Sequence, residues 1–125
     1  VNEICDVNPF GVEALMAAYN DSEEWLEELK QYLFANYNYL RAYVAEYLSE
    51  FPVSMLEGTY LVWVDCSVLN QSSDEIVKTL LEKEKLWVNE GSLYGEAGEG
   101  FIRINIACPR QQLIEGLNRL RRALK

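Results

Sequence analysis

The 125-residue chain contains no histidine. That removes the commonest general base and metal ligand, and with it any Ser–His or Cys–His nucleophile. Proline and glycine are sparse, at three and seven residues, so collagen-like and low-complexity readings fail. No apolar run approaches the ~18 residues of a membrane span, so no membrane partner is expected. Bases are outnumbered 11 to 20 by acids, for a net charge of −9. Such a chain repels phosphates, which argues against a nucleic-acid partner. The three cysteines, Cys5, Cys66 and Cys108, form no CxxC pair and are odd in number. They read as reduced, partly buried thiols of a cytoplasmic protein, and a zinc site would lack its fourth ligand. No basic segment followed by an apolar one opens the chain, and its first residue is Val1. It therefore reads as a processed product or as a piece of something longer.

What is present suits a folded domain. Half the residues are hydrophobic and 12% are aromatic, which excludes disorder. The length fits one domain able to bury roughly two-thirds of its unfolded surface. Charge is unevenly spread: residues 1–50 carry a net −8, residues 51–100 a net −6 and residues 101–125 a net +5. The basic tail, Arg110, Arg119, Arg121, Arg122 and Lys125, reads as a solvated face of a last helix whose C-terminal dipole it complements.

Residues 1–8 read as irregular, with Asn8-Pro9 as a turn or helix start. Residues 10–19 form a short helix that is apolar nearly all round. The next helix takes Ser22 as its cap, with Glu23 and Glu24 in its first turn. Leu26, Leu29, Leu33, Leu40, Val44 and Tyr47 recur at helical spacing up to residue 50. A helix over 22–50 would be about 42 Å long, against a compact radius of about 14 Å for a domain of this size. A helix that overhangs its own domain packs against something else.

Phe51-Pro52 stops that helix, and Tyr60–Asp65 reads as a strand. Ser72 with Glu75 three residues on is a capping box. The helix it opens runs to about Lys85, with Ile76, Leu80 and Leu81 facing inward. Leu86–Val88 reads as a short strand and Phe101–Ala107 as a clear one. A last helix takes Pro109 in its first turn and Leu113, Leu117, Leu120 and Leu124 on one face. The fold class expected is α+β: a two-layer sandwich of a small, mostly antiparallel sheet with helices on one face, preceded by a long linking helix.

In the strand from Phe101, alternation puts Ile102, Ile104 and Ile106 on one face, and Phe101, Arg103 and Asn105 on the other. An arginine in mid-strand offers a rigid fork matched to a carboxylate or phosphate. From spacing alone, an internal ion pair with one of the many acids, or a solvated sheet face, explains it somewhat better than a ligand does. Residues 89–100 hold four glycines, which let backbone turn sharply and approach a ligand, but they open a strand and match no phosphate-binding fingerprint. Glu96 and Glu99 could be imagined as glycosidase acids, but no sugar-binding cleft accompanies them. The five lysines, 30, 78, 83, 85 and 125, fall on exposed helix faces or at the terminus. The residues thus offer a candidate substrate-binding arginine and no catalytic or metal-binding group beside it.

The runs VNPFGVEALMAAY (7–19), GTYLVWVD (58–65) and NEGSLYGEAGEGFIRINIACPRQQLIEGLNRL (89–120) resemble the C-terminal part of class I/II aminotransferases. These are fold-type-I enzymes using pyridoxal phosphate (PLP), and the cystathionine β-lyase-like branch looks most similar. The resemblance implies a small C-terminal domain over 22–125, with residues 1–21 a remnant of the large-domain or interdomain segment. It implies that Arg103 binds the α-carboxylate of an amino-acid substrate. Tyr94 and Gly95 then lie on a loop bordering the cleft, and Arg110 holds a structural position. The Schiff-base lysine and phosphate-binding residues of such enzymes belong to the large domain. PLP is therefore expected in a parent enzyme, itself a homodimer, and in neither bound nor active form on this chain alone. Without those partners Phe10, Leu15, Met16 and Trp25 are exposed, and self-association follows. A stand-alone acidic interaction module without catalysis is the competing reading, motivated by the absent lysine and the overlong helix.

Overall fold

The computed structural model describes residues 8–125. The irregular start expected before Asn8, and the reduced thiol expected at Cys5, lie outside the described residues. The described residues fall into two compact units that meet after residue 32, and the break falls inside one long helix.

The first unit holds helix α1, Pro9–Asp21, and the start of α2, Glu23–Tyr47. Asn8 caps α1: its Oδ1 accepts from the Gly11 amide at 2.8 Å, and Pro9 occupies the first turn, where its missing N–H costs nothing. No residue of α1 is buried, and Phe10 is 87% exposed. Ser22 ends α1, and its hydroxyl bonds back to the Ala17 carbonyl. Glu23 and Glu24 fill the first turn of α2, as the dipole favours.

The second unit is the α+β sandwich. Strands β1 (Leu61–Asp65), β2 (Asn89–Glu90) and β3 (Phe101–Asn105) form an antiparallel sheet in the order β1-β3-β2. Helices α3 (Ser73–Glu84) and α4 (Arg110–Leu124) complete it. Trp63 stands opposite Arg103 on one side of β3, and Asn89 on the other. Val62, Val64, Ile102 and Ile106 are buried, and share a core with Leu40, Val44, Leu48, Ile76, Leu80, Leu113, Leu117 and Leu120. The isoleucine side of β3 is therefore the helix side, as alternation demanded.

Three sequence expectations shift. The short strand is not Leu86–Val88 but Asn89–Glu90: Lys85 ends α3 in the left-handed region, and the chain needs three more residues before it meets β3. Pro109 stands just before α4 as its cap residue rather than inside its first turn, with ψ of 140°. Leu81 is exposed, and Val77 takes its place in the core. No described helix is long and apolar enough to cross a membrane.

Candidate functional site

Arg103 sits at the middle of the central strand, on the face turned away from the helices. Strand pairing on both sides fixes its backbone, so its position does not depend on a loop. Its guanidinium carbon lies 4.2 Å from the centre of the Tyr94 ring, a cation–π contact. Tyr94 in turn meets Trp63 edge-on, with centroids 5.5 Å apart at 88°. Trp63 makes a second edge contact with Phe101 at 6.4 Å. Nη2 of Arg103 donates to Asn89 Oδ1 at 3.4 Å. Its Nε is sealed from solvent and has no acceptor among the described residues.

No carboxylate among the described residues lies within ion-pair distance of Arg103, although the chain holds 20 acids. Arg119 and Arg122, by contrast, pair with Glu115 and Glu84 at 2.8 and 2.7 Å. The internal ion pair that could have explained Arg103 is therefore absent among the described residues. An open pocket of about 660 Å³ borders Arg103 and Asn89, and continues past Trp87 toward α4.

The loop that carries Tyr94 is built rather than loose. Two 3₁₀ turns, Gly91–Tyr94 and Glu96–Gly98, flank Gly95, whose φ of +113° suits glycine alone. That single residue redirects the chain just after Tyr94. At the base, Gly91 and Gly98 approach so closely that a Cβ on Gly98 would stand 2.2 Å from the Gly91 carbonyl oxygen. The buried Ser73 at the start of α3 ties the loop down: its Oγ accepts from the Gly100 amide at 2.9 Å and donates to the Gly98 carbonyl at 3.3 Å. Glu99 Oε1 accepts from the Ser73 amide at 2.7 Å, which supplies α3 with an anionic cap from across the fold.

Arg110 is held within the fold. Its Nε donates to Asn36 Oδ1 at 2.7 Å, and the Asn36 amide donates to the Ile106 and Cys108 carbonyls at 2.8 and 3.1 Å. Asn36 thus stitches α2 to the strand exit and to the start of α4. Sequence reasoning passed over Asn36, although a polar residue within the Leu33–Leu40 stripe was a signal. It also passed over the supporting roles of Trp63, Asn89 and Ser73, for which spacing offered none. Burial pushes the Cys66 thiol up to about 12, with Asp65 adding to it, and raises that of Cys108. Both shifts disfavour the thiolate, which is the nucleophilic form. Among the described residues no cluster of metal-ligating side chains occurs.

No family model matches the chain. Among curated proteins it is 35% identical to the cystathionine β-lyase PatB of Bacillus subtilis, over 98% of this chain and 32% of that protein. It is 34% identical to the aspartate aminotransferase of Pyrococcus horikoshii, over 92% of this chain and 29% of that one. A PLP-bound protein of Clostridium difficile 630 superimposes with a TM-score of 0.91 at 41% identity, over 94% of this chain and 30% of its own. The chain therefore spans about a third of the length of the curated relatives it matches.

Proposed function

We propose that this chain, a relative of PLP-dependent aminotransferases and cystathionine β-lyase-like enzymes over about a third of their length, is the C-terminal substrate-carboxylate-binding domain of such an enzyme acting on amino acids. In this reading residues 22–125 form the small domain and residues 1–21 belong to the segment leading from the large one. The observation that carries the reading is Arg103: a mid-strand guanidinium with no carboxylate of its own, among the described residues, in a chain rich in them.

Arg103 would hold the α-carboxylate of the substrate through paired N–H donors, which orients the α-amino group toward the reacting centre. Tyr94 and Gly95 would border that cleft. PLP, when bound, supplies the electron sink for either transamination or β-elimination. The residues around Arg103 do not fit the cofactor itself. All five lysines are exposed, outside the strands, and Glu90 at the end of β2 with Glu96 and Glu99 on the loop that follows oppose a phosphate. The cofactor seat, and with it a homodimeric parent, would lie outside this chain, and the chain alone would be inactive. The clamp serves lyase and aminotransferase alike.

The test is Arg103→Lys in the complete gene product loaded with PLP. Loss of the fork should cost about 1.5–3 kcal/mol in kcat/KM for an amino-acid substrate, the range of a charged hydrogen bond. An unchanged kcat/KM removes Arg103 from the site. Intact mass of the native product separates this reading from a stand-alone module: near 40 kDa or more, the size of a two-domain enzyme of about 350 residues, supports it, and 14.4 kDa opposes it.

A further inference from the structure

The surroundings of Arg103 divide its donors, and the division says how a carboxylate must approach. The guanidinium carbon lies over the Tyr94 ring, 4.2 Å from its centre. The Nε edge is sealed and has no acceptor among the described residues. Nη2 gives one hydrogen to Asn89. Among the described residues Nη1 has no hydrogen-bond acceptor, and unlike Nε it is not sealed from solvent. The reachable donors are therefore the Nη1 group and the remaining N–H of Nη2, both at the tip.

We propose that Tyr94, braced by Trp63, is a positioning residue for Arg103, and that with Asn89 it directs the substrate carboxylate end-on across the two Nη atoms. This rests on the carboxylate-binding reading of Arg103 and adds which residues aim it. An arginine side chain has several rotatable bonds, and a carboxylate bridging two donors needs them in one plane. A ring held against the guanidinium restricts its orientation before the substrate arrives, so less freedom is lost on binding. The Tyr94 ring is itself held edge-on by Trp63, and Trp63 stands opposite Arg103 in the strand register. Arg103, Trp63 and Tyr94 therefore brace one another, and Gly95 with the Ser73 tie keeps Tyr94 at its post.

The experiment uses the complete gene product purified with PLP, and follows spectral titration with L-alanine and with ethylamine, which lacks the carboxylate. Tyr94→Leu should weaken L-alanine binding about threefold to thirtyfold, the span of cation–π contributions, and leave ethylamine unchanged. Tyr94→Phe, which keeps the ring face, should stay within about twofold of the starting protein. In an Arg103→Gln background, Tyr94→Leu should add no further loss, because Tyr94 acts through Arg103. Should Tyr94→Leu fail to fold, Tyr94→Trp against Tyr94→Gln makes the same comparison of ring and no ring. Wild-type L-alanine binding in Tyr94→Leu, equal loss in Tyr94→Phe, a matching loss for ethylamine, or an additive loss in the double variant each overturns the proposal. If Arg103→Gln itself binds L-alanine normally, the carboxylate-binding reading falls first.

Discussion

At the scale of single residues, the fold depends on a few buried polar groups whose partners lie far along the chain. Asn36 is fully buried and satisfies two carbonyls while accepting from Arg110. Asn36→Leu would remove both of these hydrogen bonds and the acceptor of Arg110 Nε at a buried position. The expected cost is about 2–4 kcal/mol for the three bonds lost. Urea unfolding of the two chains checks it, and a midpoint unchanged within error would contradict it. Cys66 makes a pH prediction. Below pH 9.0, its ordinary value, folded and unfolded chains both hold the thiol proton. Above that the unfolded chain releases it, whereas the folded chain keeps it until about 12. Stability therefore falls as pH rises through this window, by up to ~1.4 kcal/mol per pH unit. Urea midpoints at about pH 8 and about pH 10 should drop further in the wild-type chain than in Cys66→Ala.

At the scale of elements, the Tyr94 loop and helix α3 are one assembly. The Ser72–Glu75 capping box was legible in the sequence and is present. The second cap, from Glu99, was not, because 26 residues separate it from Ser73 and no local spacing encodes it. Glu99→Ala should lower stability by about 1 kcal/mol, the usual value of a helix cap, read as a fall in Tm. Gly98→Ala should cost more than Glu99→Ala, since its methyl would collide with backbone at 2.2 Å and backbone cannot swing aside. Equal melting temperatures for the two variants would refute the close-approach argument. The segment Leu86–Val88 shows the opposite case. Its apolar, β-branched composition reads as strand, yet the turn after Lys85 delays pairing until Asn89. Register against β3 decided the strand, and register is a tertiary property.

At the scale of the whole molecule, apolar surface is left uncovered. Phe10, Leu15, Met16 and Trp25 are all more than half exposed. Such surface costs free energy in water in proportion to its area. The chain on its own is expected to self-associate with rising concentration, and Leu15→Glu with Met16→Glu should return it toward a monomer. Sedimentation velocity distinguishes the outcomes, and a strict monomer for the unaltered chain at high concentration would contradict the expectation.

Local pattern was enough for the α+β class, for four helices, for both longer strands and for the face on which Arg103 stands. Each of these follows from periodicity: 3.6 residues per turn or 2 per strand repeat carries its own direction, and burial on one side then sets the other. The family resemblance, too, lay in contiguous runs. What the folded chain alone decided is the company Arg103 keeps. Trp63, Asn89 and Tyr94 come to it from three separate segments, while no acid among the described residues does so. Pairing across a sheet brings residues together without any fixed separation along the chain. No spacing rule could have told an arginine neutralised within the fold from one with its tip held open for a ligand.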